Sequence, residues 1–366
     1  MASINLQGDT SGSISISAPS VAGSNTLTLP ATTQTLATQN ALGVRNLIIN
    51  GDMKVDQRNA GASVTANDYV YYADRWKFLA QLNGKMSIQQ VTDAPTGFSN
   101  SLLFTTTSAY TPPSSSIFAI SQWIEGYNTA HLSWGTANAK TVTLSFWVKS
   151  SLTGTFGGAL QNSAANRSYP FEYTISSANT WEKKTITVSG DTTGTWIGST
   201  NGTGLKVIFS LGAGATFSDT AGAWSGTSNI YSATGAVQVV ATGSATWNVT
   251  GVQLEVGDTA TPFEHRPYDM ELARCQRYYE KSGLNNAISW SGDTTNGSNY
   301  WDVRAYMIEK RTAPTVTVGT EYARNGFASA PNISWEDTRS FRAYKSANAT
   351  TAGGYFVFGW TAEAEL

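Results

Sequence analysis

The sequence predicts an all-β protein, and three observations carry that expectation. Of 366 residues, 34 are Gly, 48 Thr and 40 Ser, so a third of the chain is small, turn-forming or β-branched. Only 13% of residues are charged, which excludes coiled coils and helical arrays, because those need a large share of Ala, Glu, Lys, Leu and Arg. Hydrophobic residues make up 40%, with 12 Trp, 16 Tyr and 14 Phe, too much apolar and aromatic mass for a disordered chain. At ~100–200 residues per domain the length fits two or three units. The order expected is an extended N-terminal arm (1–44), a jelly-roll or β-sandwich domain (45–266), a short linking helix (267–282) and a C-terminal β domain (283–366).

The arm carries one charged side chain, Asp9, and the first aromatic of the chain is Tyr69, so the arm cannot build a core alone. Its alternating runs, 13–17 (SISIS) and 26–29 (TLTL, ended by Pro30), have the two-residue period of half-buried strands. Strands of that kind need a partner sheet, which points to an arm ordered on other subunits.

Between 45 and 266, strand-like runs at 141–148, 181–188, 205–211 and 247–256 are separated by Gly, Asn and Ser turns. In the first of these Val142, Leu144, Phe146 and Val148 share one face while Thr143, Ser145 and Trp147 look the other way. Many short antiparallel strands of this rhythm close as a jelly roll or two-sheet sandwich, with Trp147 and Trp181 expected to pack inside it. The helix rests on Asp269 as cap, Glu271 in the first turn, and Leu272, Cys275 and Tyr279 at helical spacing. Beyond it β signals return at 303–308, 314–318 and 354–360, the last apolar on both faces, as in a strand buried on both sides or against another subunit.

With 23 Lys and Arg against 25 Asp and Glu, the net charge of −2 gives no field that would draw nucleic acid or an anionic membrane. No apolar run approaches the ~18 residues of a membrane-spanning helix, so membrane insertion is not expected. Cys275 is the only cysteine, which excludes intrachain disulfides. The N-terminus has no basic stretch followed by an apolar core, so a product of intracellular translation is expected rather than an exported one.

Several segments together carry a likeness: 46–52 (NLIINGD), 73–76 (ADRW), 201–206 (NGTGLK), 251–257 (GVQLEVG), 261–267 (TPFEHRP) and 275–279 (CQRYY). In this order they resemble bacteriophage fibre proteins with a carbohydrate-binding-module-like jelly roll. The arm segments 22–30 (AGSNTLTLP) and 34–37 (QTLA) resemble the leader of phage structural proteins, and 360–366 (WTAEAEL) resembles a fibre end. The resemblance implies a homotrimeric virion fibre, attached to other particle subunits through residues 1–44 and meeting host surface glycan with its C-terminal domains. It leaves tail and head attachment equally open.

Candidate chemistry is sparse. Asp52, Asp56, Asp68 and Asp74 are the nearest acidic cluster, but their spacing is not that of glycoside cleavage, and turn capping with salt bridges to Arg58 and Arg75 explains them as well. His131 and His265 are the only histidines, which leaves zinc sites and Cys–His dyads without ligands. The resemblance brings in a structural calcium as an alternative, with Asn50, Asp52 and Glu255 as oxygens, yet calcium needs six to eight of them. No catalytic residue, metal or cofactor is therefore assigned. Sugar recognition needs flat exposed rings flanked by hydrogen-bonding groups. Trp196 and Trp224 lie between glycines, and Trp290, Tyr300, Trp301 and Trp335 lie amid Ser, Gly and Asn in what reads as tip loops. Trp196, Trp224, Trp290 and Trp335 are the candidate carbohydrate-binding residues. The expected function is a non-enzymatic virion fibre that binds host glycan. A capsid decoration protein or head fibre is the alternative, and a polysaccharide depolymerase the third.

Overall fold

In a computed structural model, residues 3–7, 11–17 and 45–366 are described. The chain divides into two compact units, 1–43 and 44–366. In the first unit, strands β1 (Ser3–Gln7) and β2 (Ser13–Ser17) form an antiparallel hairpin with Ile4 opposite Ile16 and Leu6 opposite Ile14. The run at 26–29 and the arm motifs at 22–30 and 34–37 lie outside the described residues.

The second unit starts with a sandwich whose strands are β3 (Val64–Thr65), β4 (Val70–Ala73), β5 (Trp76–Ala80), β6 (Met86–Val91), β7 (Ser101–Thr106), β8 (Ile117–Glu125), β9 (Val142–Ser150), β10 (Gly154–Gln161), β11 (Ser168–Ile175), β12 (Glu182–Val188), β13 (Thr203–Ala213), β14 (Ser218–Asp219), β15 (Ser232–Ala233) and β16 (Thr246–Val256). Two six-stranded antiparallel sheets result, β11-β10-β13-β8-β5-β4 and β12-β9-β16-β7-β6-β3. The chain passes repeatedly from one sheet to the other, as in a jelly roll, so each sheet joins strands far apart in sequence.

The alternation in β9 is realised. Val142, Leu144, Phe146 and Val148 are fully buried between the sheets with Trp76, Phe104, Phe156, Phe209 and Trp247. Trp147 and Trp181 do not join that core. Trp147 sits on the outer face of β9, where its ring would meet any side chain at Gly251, and Trp181 lies just before β12 with its indole N–H donated to Asp93 (3.2 Å). Outside the first sheet, the short parallel pair of β14 and β15 belongs to a loop that lays Phe217 and Tyr231 over Leu79, Ile117, Ala119 and Ile208.

The helix, α1 (Tyr268–Gln276), is shorter than 267–282. Pro267 precedes it without a side-chain cap, and Asp269 stands inside the first turn, where it accepts the N–H of Met270 (2.9 Å) instead of capping. Helical spacing is overridden at Tyr279, which starts β17 (Tyr279–Lys281), because pairing with a strand from the far end of the chain supplies its backbone hydrogen bonds. Strands β18 (Ile288–Thr294), β19 (Asn299–Ala305), β20 (Thr315–Asn325), β21 (Asn332–Glu336), β22 (Ser340–Ser346) and β23 (Thr351–Glu363) follow. β23 pairs with β17, β18 and β20, while β22 lies between β19 and β21. Phe341, Phe356, Phe358 and Trp360 are buried between these two small sheets.

Residues near the chain's end are tied to the sandwich by charge. Arg58 pairs with Glu363 (2.8 Å) and Glu365 (3.1 Å), and Arg75, fully buried, pairs with Glu365 beneath the ring of Tyr278. The carboxylates expected to hold these arginines serve other donors: Asp56 caps the turn at Asn59 and Gly61, Asp52 pairs with Lys54, Asp68 accepts from Ala80, and Asp74 accepts from Gln57.

Candidate functional site

Trp196 and Trp224 are brought together. With Trp134 they form a triangle of edge-to-face rings, 4.8 Å (Trp134 to Trp196), 5.2 Å (Trp134 to Trp224) and 5.4 Å (Trp196 to Trp224) between centroids. Trp134 is buried and the other two are half-buried against the sandwich core. Their polar edges are spent inside the protein, Trp196 donating to Asp191 (3.1 Å) and Trp224 to the carbonyl of Ser189 (2.8 Å). Burial alone would raise the Asp191 carboxyl, but hydrogen bonds from Arg167, Thr193 and Trp196 outweigh it and hold the group below the usual carboxylate range. The hollow beside Trp134 and Trp196 measures about 40 Å³, room for a water but far short of the ~300 Å³ at which small-molecule clefts begin.

Trp290 also packs inward. Its ring lies 4.2 Å from Tyr300, 5.7 Å from Phe327 and 6.3 Å from Phe356, half-buried against the C-terminal core. Trp335 differs. It is 49% exposed on β21, and Trp301 (44%) and Val303 (60%) are exposed on β19. None of these residues sits in a tip loop, since β18, β19 and β21 carry them on rigid sheet. Register sets Val303 and Trp335 on either side of Arg342, and Trp301 opposite Tyr344. The Arg342 guanidinium lies 4.5 Å from the Trp301 ring and donates to Ser334 (3.2 Å), and Tyr344 stacks on Trp301 at 4.7 Å. Val303, Trp335 and Arg342 border an open hollow of about 410 Å³. Flat rings with a charged, hydrogen-bonding neighbour on one sheet face can stack on a pyranose and hold its hydroxyls.

Two lysines share one tryptophan on the outer face of the first sheet. Lys77 on β5 and Lys206 on β13 bring their ammonium groups 4.1 and 4.8 Å from the Trp123 ring. Lys77 also reaches the Leu366 oxygen (3.4 Å), and Lys206 donates to Gln161 (3.1 Å). Burial, helped by the charge of Lys77, pushes Lys206 down to about 8.

The candidate calcium oxygens are occupied. Asn50 binds the backbone of Val55 and Asp74, Asp52 binds Lys54, and Glu255 accepts from Gln253 and Thr261. Among the described residues no group of three or more His, Cys, Asp and Glu could hold a metal ion. His265 packs edge-on against Phe263 and tilted against Phe98, whereas His131 lies at the surface with its ring partly covered.

No protein-family model matches this chain, and no curated protein matches it. Among solved structures it is similar to the enzymatically active domain of tailspike protein 4 of bacteriophage CBA120, at 12% identity over 58% of this chain and a TM-score of 0.32. It spans about a fifth of that structure's length (21%). It is also similar to a putative sugar-binding protein from Bacteroides thetaiotaomicron (11% identity, 58% of this chain, 100% of the other, TM-score 0.34). A third similar structure is a family 11 carbohydrate-binding module from Clostridium thermocellum in complex with a β-1,3-1,4-mixed-linked tetrasaccharide (11% identity, 56% and 98% covered, TM-score 0.28).

Proposed function

We propose that this chain is a non-enzymatic bacteriophage virion fibre protein that binds host surface glycan through its β domains. In this reading it assembles as a homotrimer in the virion, docks on other particle subunits through residues 1–44, and places residues 283–366 at the distal tip. The observation that carries glycan recognition is the exposed face of Trp301, Val303, Trp335, Arg342 and Tyr344, built on strands whose opposite face is core. Large rings left in water cost free energy, and pairing them with a guanidinium suits a ligand with an apolar ring face and polar rim. The virion role rests on the sequence resemblance, and the non-enzymatic part on the spacing of Asp52, Asp56, Asp68 and Asp74, which is not that of paired glycosidase carboxylates.

The test is binding of the full chain to polysaccharide extracted from host envelope. Trp335→Ala and Trp301→Ala should each weaken binding at least tenfold, about 1.4 kcal/mol. Unchanged binding by both variants overturns the reading. Shortening of the polysaccharide during the incubation would instead favour a depolymerase.

A further inference from the structure

A second cleft lies in the jelly-roll unit, away from the exposed rings of β19 and β21. About 300 Å³ in volume, it is bordered by Asn46, Leu47 and Ile49 from the segment before β3, by Tyr127, Asn128 and His131 from the turns after β8, and by Arg274 from the last turn of α1. Among the described residues, none offers a hydrogen bond or ion pair to the side chains of Tyr127, Asn128, His131 and Arg274. Asn46, by contrast, is fully used, accepting from Ile48 and Leu254 and donating to Val252.

Arg274 is the informative member. Helix C-termini favour cations, which explains a basic residue there but not a guanidinium that meets no acceptor among the described residues. The nearby carboxylates are engaged elsewhere: Glu271 accepts from Asn50 and Arg266, and Glu264 accepts from Arg45, Asn46 and Arg266. Burial and the neighbouring charge of Arg266 disfavour the Arg274 cation more than Glu271 and Glu264 favour it, so neither carboxylate fully compensates it. Tyr127 is 60% exposed and offers a ring face at the rim. His131 is held below its usual value by partial burial and by Lys140, so near neutral pH its imidazole can both donate and accept.

We infer that this cleft binds a carboxylate-bearing sugar unit, with Arg274 forking onto the carboxylate, Tyr127 lying against the ring, and Asn128 and His131 taking hydroxyls. A planar guanidinium matches a carboxylate with two parallel charge-assisted hydrogen bonds, whereas the hydroxyls of a neutral sugar accept only uncharged and weaker ones. The inference rests on the glycan-binding reading above but uses none of its residues.

The test titrates the full-length protein with D-galacturonate, with galactose, acetate and inorganic phosphate as separate probes. Galacturonate should bind with a dissociation constant on the order of 1 mM, and the other three at least tenfold more weakly. Arg274→Gln should weaken galacturonate at least tenfold, Arg274→Lys should restore only part of it, and Tyr127→Ala should weaken it without moving the melting temperature. Galactose binding as tightly as galacturonate, acetate or phosphate binding as tightly as the sugar acid, absence of galacturonate binding, or an unaffected Arg274→Gln variant would each overturn the inference. Should Trp335→Ala lose host polysaccharide while Arg274→Gln binds galacturonate like the parent, only the cleft is wrong and the exposed-face reading stands.

Discussion

Replacing Trp196 by Ala tests whether that ring belongs to the ligand or to the fold. The structure gives it two edge-to-face partners, Trp134 and Trp224, and at ~0.5–1.5 kcal/mol each these are worth about 2 kcal/mol. Loss of the indole hydrogen bond to Asp191 adds about 1 kcal/mol, below the usual range for a charged acceptor, because Arg167 and Thr193 still satisfy that carboxylate. A cost of about 3 kcal/mol in a unit this large corresponds to a melting temperature roughly 6 °C lower. Trp335→Ala, by contrast, removes a ring that is 49% exposed and has no aromatic partner, so it should cost within about 0.5 kcal/mol and shift melting by roughly 1 °C. Scanning calorimetry of the full-length variants, followed by retention on immobilised host polysaccharide, separates the two. Trp196→Ala melting with the parent while losing glycan would refute the assignment of Trp196 to packing and restore it as a ligand contact.

Three further outcomes follow from buried groups. An unfolded lysine keeps its proton up to 10.5, whereas folded Lys206 gives it up near 8, so between those values the unfolded chain holds more protons and stability must rise with pH. At ~1.36 kcal/mol per pH decade the gain reaches about 3 kcal/mol, read as a rising denaturant midpoint from pH 8 to 10, and a flat profile would contradict it. The thiol of Cys275 is fully buried and pushed up by desolvation, so a thiol reagent at pH 8 should label it only at the rate of unfolding. A β-carbon at Gly51 would run into the carbonyl of Val252, so Gly51→Ala should cost about 3 kcal/mol, checked by its urea midpoint.

What sequence could say depended on how local the cause was. The faces of β9 were legible because a strand's two-residue period and a buried side together fix which residues look inward. Trp196 and Trp224 read as exposed because glycines flank them, yet their burial comes from Trp134, some 60 residues upstream of one and 90 of the other, which no local pattern reports. The helix was legible at its start and not at its end, because Tyr279 keeps helical spacing while Glu363 claims its backbone. The exposed face left a usable signal: Trp301 and Val303 stand two apart in a run that alternates with polar residues, the mark of a strand turning apolar groups to one side. Tyr127 and Arg274 left none, since 147 positions separate residues that meet only when α1 docks beside the turn after β8.

The pairing of Arg58 and Arg75 with Glu363 and Glu365 also orders events in time. The two arginines precede their counter-charges by 290 to 307 residues, so a sandwich that closed before those residues joined it would hold Arg75 without its carboxylate. Burying Arg75 uncompensated would cost several kcal/mol, which disfavours early closure around it. The sandwich therefore reaches its full stability only once residues 363 and 365 are in place, although they lie at the other end of the unit.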